Sequence, residues 1–195
     1  MNPLLEKFEE YKSIVNYRFV YQFANGLSIE YKLRQADFPH LLGLHKLTDI
    51  PIIQQFRDVN QPNISARYIL SRIKKEELLT DAIVRSSLEF PTISDRYENF
   101  TRDNLLTVSY TDVIIDFNPT LIGSSLQAKY ILFEDKHPGY NHLCIGCTTK
   151  GNYVESFFYQ PSDRYIVNQN TCAVEMVQIY DTNGRLFFED RFNYS

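Results

Sequence analysis

What this chain has little of narrows its function first. No apolar run approaches the ~20 residues of a helical membrane span, and no basic-then-apolar leader opens the N terminus, so the expectation is a cytoplasmic protein without a membrane role. Glycine is sparse, seven residues spread singly. Without a glycine-rich loop to cradle phosphate, a P-loop or Rossmann nucleotide enzyme has little support. Basic charge is also short: 20 Lys and Arg stand against 24 Asp and Glu, for a net charge of −4 and a pI near 5.6. A broad electrostatic surface for nucleic acid needs many cations on phosphate, so any nucleic-acid site has to be local. Three cysteines leave an odd number and no disulfide framework. Tryptophan is missing too, which excludes nothing.

Metal-ligating residue types gather in one place, at His137, His142, Cys144 and Cys147. Cys144-Ile145-Gly146-Cys147 has zinc-knuckle spacing, but no second cysteine pair accompanies it. On a strand, positions three apart point to opposite faces of the sheet. The two cysteines therefore read as small apolar strand residues, and the same geometry disfavours a redox Cys-x-x-Cys. Asp112 and Asp116 share one face of a predicted strand at the spacing of a two-metal nuclease pair, but no Glu-x-Lys element follows them. A solvated strand edge explains them more simply, because charged side chains are mostly exposed. The expectation is no bound metal and no cofactor.

What is present is ample for a packed core: 195 residues, 44% hydrophobic and 14% aromatic. Leu4, Leu5, Phe8, Tyr11 and Val15 fall on one stripe, which predicts an amphipathic helix over 3–16. Aromatic and β-branched residues at 17–23 and 27–33 flank Ala24-Asn25-Gly26, and Asn-Gly is a strong hairpin signal. Further helices are predicted near 49–58, 64–74, 76–87 and 93–103. Asn63 or Ser65 is a cap, and Glu76-Glu77 is well placed in a first turn. From Leu105 the apolar period changes to two, with strands at 106–117, 126–134, 142–149, 153–159, 173–180 and 185–192. Turn signals separate them at Asn118-Pro119, Pro138-Gly139, Lys150-Gly151-Asn152 and Asp181-Thr182-Asn183-Gly184. Short loops favour an antiparallel meander. The reading is an α+β fold: N-terminal helices with a β-hairpin, then an antiparallel sheet. It is read as one domain over 1–195, helix-rich over about 1–104 including the hairpin at 17–33, and sheet over about 105–195.

Two stretches carry the candidate chemistry. The first is Asp37-Phe38-Pro39-His40-Leu41-Leu42-Gly43-Leu44-His45-Lys46-Leu47. Asp37 can cap a helix here, Pro39 fits its first turn, and Leu41, Leu44 and Leu47 recur at helical spacing. On an unbroken helix His40 and His45 would point about 140° apart. They share one site only if Gly43 ends or bends the helix. Taken as residue types alone, they are a packed histidine and a solvated helix end. The second stretch is Glu155-Ser156-Phe157-Phe158-Tyr159-Gln160-Pro161-Ser162-Asp163-Arg164-Tyr165. Alternation puts Tyr153, Glu155, Phe157 and Tyr159 on one face of a strand and Val154, Ser156 and Phe158 on the other. Val154 and Phe158 are core, with Ser156 among them unless the strand end curls. A turn at Pro161-Ser162-Asp163 then presents Arg164 and Tyr165, suited to a phosphate and a stacked base.

Together these stretches resemble a phage- and mobile-element-associated family of the barnase/EndoU/colicin/RelE (BECR) nuclease superfamily, the fourth of its phage types. The likeness covers most of the chain from about Tyr17 onward. It implies a BECR-like arrangement of helices followed by an antiparallel sheet. It also implies a small metal-independent ribonuclease of toxin or phage-defence type, acting on RNA and held in check by an antitoxin or immunity protein. Such an enzyme needs proton-transfer groups at the 2′-hydroxyl and the leaving 5′-oxygen, and cations for the developing charge. His40 or His45 is assigned to proton transfer, Lys46 and Arg164 to charge, and Ser156 or Tyr159 to hydrogen bonding with the phosphate. Tyr159, Tyr165 and Lys129 are assigned to substrate binding. The rival reading is a non-enzymatic binding or regulatory module that keeps the nuclease-like fold, with exposed tyrosines serving a protein interface.

Overall fold

The computed structural model describes residues 2–55, 62–75, 78–106 and 110–192, and of residues 62–65 the backbone alone. The chain forms two compact units, Met1–Val15 with Arg34–Asn104, and Asn16–Leu33 with Leu105–Ser195.

The first unit is helical. It contains α1 (Pro3–Lys12), α2 (Phe38–Leu41), α3 (Pro51–Gln54), α4 (Pro62–Lys74), α5 (Asp81–Arg85), α6 (Ser94–Asn99) and α7 (Arg102–Leu106), the last crossing the unit's boundary. Asn2 caps α1 by accepting from the Leu4 N–H at 3.2 Å, and the same oxygen takes the Asp81 N–H at 3.0 Å, tying α1 to the start of α5. Thr80 caps α5. The helix expected over 93–103 is interrupted between α6 and α7, and Pro91 lies in the short 3-10 turn Phe90–Thr92. The expected first-turn role of Glu76-Glu77, the caps at Asn63 or Ser65 and the end of the 49–58 helix lie outside the described residues.

Phe38 organises this unit's core. It is fully buried, with ring centroids 5.2 Å from Phe8, 5.4 Å from Tyr11 and 5.5 Å from Phe100. Such edge-on and tilted pairs add to the burial of the rings themselves. Leu41, Leu42, Leu44 and Leu47 are buried around it. The apolar residues of the first stretch thus hold its two histidines in place. Asp37 does not cap α2. Its carboxylate reaches back to the Arg34 N–H at 3.0 Å and to the Arg34 guanidinium at 2.9 Å, closing the 3-10 turn Gln35–Asp37.

The second unit is a sheet of eight strands: β1 (Arg18–Phe23), β2 (Ser28–Lys32), β3 (Asp112–Ile115), β4 (Tyr130–Lys136), β5 (Gly139–Thr148), β6 (Gly151–Gln160), β7 (Thr171–Tyr180) and β8 (Leu186–Arg191). All pairs are antiparallel, in the order β2-β1-β7-β3-β4-β5-β6, with β8 also on β7. Asn152 of β6 donates to the Glu30 carbonyl of β2 at 3.0 Å, so the two ends of the sheet meet and it is nearly closed. This side-chain bond bridges the two edge strands, which share no backbone ladder among the described residues.

The expected α+β class holds: helices first, then the antiparallel sheet. Two details differ. The hairpin at 17–33 leaves the helix-rich part, because β1 pairs with β7. The meander also stops at β6: β7 crosses back to lie between β1 and β3 rather than beside β6. The hairpin's own turn is as expected, with Gly26 at φ +81° and the Asn25 side chain accepting from the Leu27 N–H at 3.0 Å. Strand β3 is shorter than the predicted 106–117, of which 107–109 lie outside the described residues.

Candidate active site

In the helical unit, the first stretch forms a turn. Helix α2 ends at Leu41, Gly43 takes φ +81°, and a 3-10 turn runs from Leu44 to Lys46. The Gly43 N–H donates to the His40 carbonyl and the Lys46 N–H to the Gly43 carbonyl, each at 2.9 Å. This left-handed residue reverses the direction that an unbroken helix would impose. His40 and His45 consequently stack, with ring centroids 4.2 Å apart and planes 16° from parallel. Both are half-buried. The exit from the turn is held by two carboxylates. Glu89 accepts from the Thr48 N–H at 2.6 Å, and Asp49 accepts from the Leu88 N–H at 2.8 Å and from the Ser87 hydroxyl.

Two cations belong to the same turn, Lys46 within it and Arg96 packed against Gly43. Lys46 is exposed as a residue. Its ammonium is nevertheless held below its ordinary pKa, by partial desolvation first and then by the Arg96 guanidinium. Arg96, on α6, passes so close to Gly43 that a Cβ added there would lie 3.4 Å from Arg96 Nη1 and 2.9 Å from Ile93 Cγ2. Sequence reasoning missed Arg96. No local pattern ties it to the histidines, and only the packing of α6 delivers it. Gly43→Ala would both strain a left-handed backbone and collide with Ile93. We expect a loss of roughly 1–3 kcal/mol in urea denaturation, and an unchanged midpoint would show that the turn tolerates a side chain.

In the sheet unit, the second stretch is shaped by a β-bulge. Cys144 of β5 pairs with Ser156 and Ile145 pairs with Val154, which leaves Glu155 as the extra residue of β6. The expected strict alternation over 153–159 is therefore interrupted, and Phe157, expected on the face of Glu155 and Tyr159, is fully buried. Ser156 is 4% exposed and lies opposite buried Cys144. Its hydroxyl is not presented to a phosphate, which removes it from the candidate set. Glu155 replaces it as the chemically notable residue. Its Oε1 accepts from the Gln127 N–H at 2.9 Å, its Oε2 is buried without a hydrogen bond, and desolvation raises its pKa. Half-buried carboxyls of this kind are suited to proton transfer. The bulge is the signal, and it cannot be read from alternation.

Tyr165 is not a free stacking platform. Its ring packs 4.7 Å from Phe158, 5.6 Å from His142 and 6.3 Å from Phe117, beside a core of Ile114, Ile131, Phe133 and Cys144. Arg164 is exposed, and its Nη2 donates to the Ile122 carbonyl at 2.7 Å. Tyr159 is partly exposed, with its hydroxyl against Gly139. Lys129 is exposed with its ammonium 3.7 Å from Asp116, and its pKa is raised, first by Tyr130 and then by Asp116.

The remaining candidates resolve as follows. Asp112 lies in β3 and accepts from the Thr111 hydroxyl at 2.7 Å, whereas Asp116 has left the strand with φ +52°. The shared strand face expected for them is not formed. Cys144 is buried while Cys147 is exposed, its thiol donating to Asn152 Oδ1 at 2.9 Å. No cluster of three or more His, Cys, Asp or Glu suited to a metal occurs among the described residues. Among the same residues no helix is long and apolar enough to cross a membrane.

His40, His45, Lys46 and Arg96 thus belong to one turn and its packing in the helical unit, and Arg164, Tyr165, Tyr159, Glu155 and Lys129 belong to the sheet unit. No curated protein and no solved structure matches the chain. A family model does, over residues 4–183, which is nearly the whole chain and includes both motif stretches. The chain belongs to the phage-Barnase-EndoU-ColicinE5/D-RelE like nuclease 4 family.

Proposed function

We propose that this member of a nuclease family is a ribonuclease of toxin or phage-defence type that needs no metal. The observation that carries this reading is the stack of His40 on His45, 4.2 Å apart, on a turn that also bears Lys46 and packs against Arg96 at Gly43. One imidazole takes the proton of a 2′-hydroxyl as its oxygen attacks the adjacent phosphorus. The other gives a proton to the departing 5′-oxygen, and a 2′,3′-cyclic phosphate remains. Lys46 and Arg96 stabilise the charge that grows on the phosphoryl oxygens. In the sheet unit, Arg164, Tyr159 and Lys129 are proposed as substrate-binding residues. An antitoxin or immunity protein is the proposed inhibitor, and the cytoplasm the proposed compartment.

The test is cleavage of bacterial RNA by purified protein in EDTA, with the product end identified. A 2′,3′-cyclic end supports the reading. No cleavage by protein freed of any inhibitor would leave a binding module with a nuclease-like fold, and cleavage only with added Mg²⁺ would discard the metal-free mechanism.

A further inference from the structure

The helical unit carries a second feature that the histidine chemistry does not use. Arg34, Gln35, Ala36, Arg67 and Leu70 line an open groove of about 420 Å³ between the 3-10 turn Gln35–Asp37 and helix α4. Residues 62–75, which form α4 and the residue after it, contain Arg67, Arg72, Lys74 and Lys75 and no acidic residue, in a chain whose net charge is −4. Arg67, Leu70 and Lys74 recur at helical spacing and so share one side of α4. Lys74 extends the groove, its ammonium 3.3 Å from Gln35 Oε1.

The two arginines are presented differently. Asp37 binds Arg34 through Nε and Nη2, at 3.2 and 2.9 Å, which fixes the guanidinium plane while leaving Nη1 without a partner among the described residues. The Arg34 side chain is 55% exposed, so that edge is open to solvent. Arg67 is exposed and no described residue pairs with its guanidinium. A fixed guanidinium and a free one lining the same groove, with Leu70 as its apolar part, give two separate donors for phosphodiester oxygens. Arginine donors match phosphate oxygens in geometry, and a pre-oriented fork loses less entropy when it binds.

We propose that this groove is a phosphate-binding track for an RNA strand, with Arg34 and Arg67 as its contacts and Lys74 at its end. The proposal rests on the nuclease reading and adds where that substrate's backbone is held. It supplies the local basic site that the acidic composition demands.

The test measures binding apart from cleavage. A dye-labelled 2′-O-methyl RNA of roughly 12 nucleotides, within the usual footprint of single-strand binders, lacks the attacking hydroxyl and cannot be cut. Its affinity is read by fluorescence anisotropy over a salt series. Arg67→Gln should weaken binding several-fold and lower the slope of log K against log salt by about 0.7, the value for one lost contact on a single strand. Arg67→Gln with Lys74→Gln should lower it further, whereas Lys150→Gln, in the turn before β6, should change neither quantity. Arg67→Lys, which keeps the charge, should restore the slope and shows that the fold is intact. An Arg67→Gln protein with wild-type affinity and slope overturns the groove, even if RNA is still cleaved in EDTA. Groove-dependent binding without any cleavage would instead leave the groove standing and overturn the ribonuclease.

Discussion

Replacing His40 or His45 by alanine is expected to lower RNA cleavage by about 10²- to 10⁴-fold, the usual cost of losing a general acid or base. The two rings stack and are half-buried, while the residues that hold them, Phe38, Leu41 and Leu44, are fully buried and untouched by either change. Activity should therefore fall far more than stability, and a melting temperature near the wild-type value has to accompany the loss before it counts as catalytic. Lys46→Ala and Arg96→Ala should act in the same direction, on the scale of one lost electrostatic donor, about 10²- to 10³-fold. Arg164→Ala extends the test to the sheet unit. It gives up a bond to the Ile122 carbonyl in an exposed turn, so a large loss of cleavage with unchanged folding would place it on the substrate. Full cleavage by both histidine variants would end the proton-transfer role assigned to this turn.

His142 should make the sheet unit sensitive to acid. Its ring is fully buried between Phe158, 4.8 Å away, and Phe133, Tyr140 and Tyr165. Neither ring nitrogen makes a hydrogen bond of good geometry, and the nearby backbone of Tyr140 and Phe158 only partly offsets the burial. Desolvation therefore drives its pKa down from 6.5 to about 4. The folded state wants the neutral ring, whereas the unfolded chain takes up a proton once the pH falls below 6.5. The stabilising contribution is thus complete above pH 6.5, is lost progressively between 6.5 and 4, and changes no further below. The depression corresponds to about 3 kcal/mol in total. His142→Leu removes the titrating group and leaves no orphaned polar partner, so it should be tolerated at neutral pH. Urea denaturation at pH 7 and pH 4.5 should show a markedly smaller loss for the leucine protein. Comparing the two proteins cancels the carboxylates common to both, and equal losses would mean that His142 is not the acid-sensitive group.

Local signals in the sequence determined much of this protein. Asn25-Gly26 specified the first hairpin, the shift to period two near Leu105 announced the sheet, and Asn118-Pro119 and Asp181-Thr182-Asn183-Gly184 marked real turns. Each depends on backbone preferences within a few residues, which composition carries directly. The histidine pair was half legible: Gly43 allowed the turn, but the close approach of Ile93 and Arg96 that leaves no room for a side chain there comes from packing. Tertiary structure alone decided the rest. Strand β7 lies between β1 and β3, and pairing between distant segments leaves no local mark in the sequence. The bulge at Glu155 shifted every face assignment around it, since one extra residue inverts a period of two. Arg96 and the Arg34–Arg67 groove join residues from separate helices and turns, where spacing along the chain says nothing about distance in space.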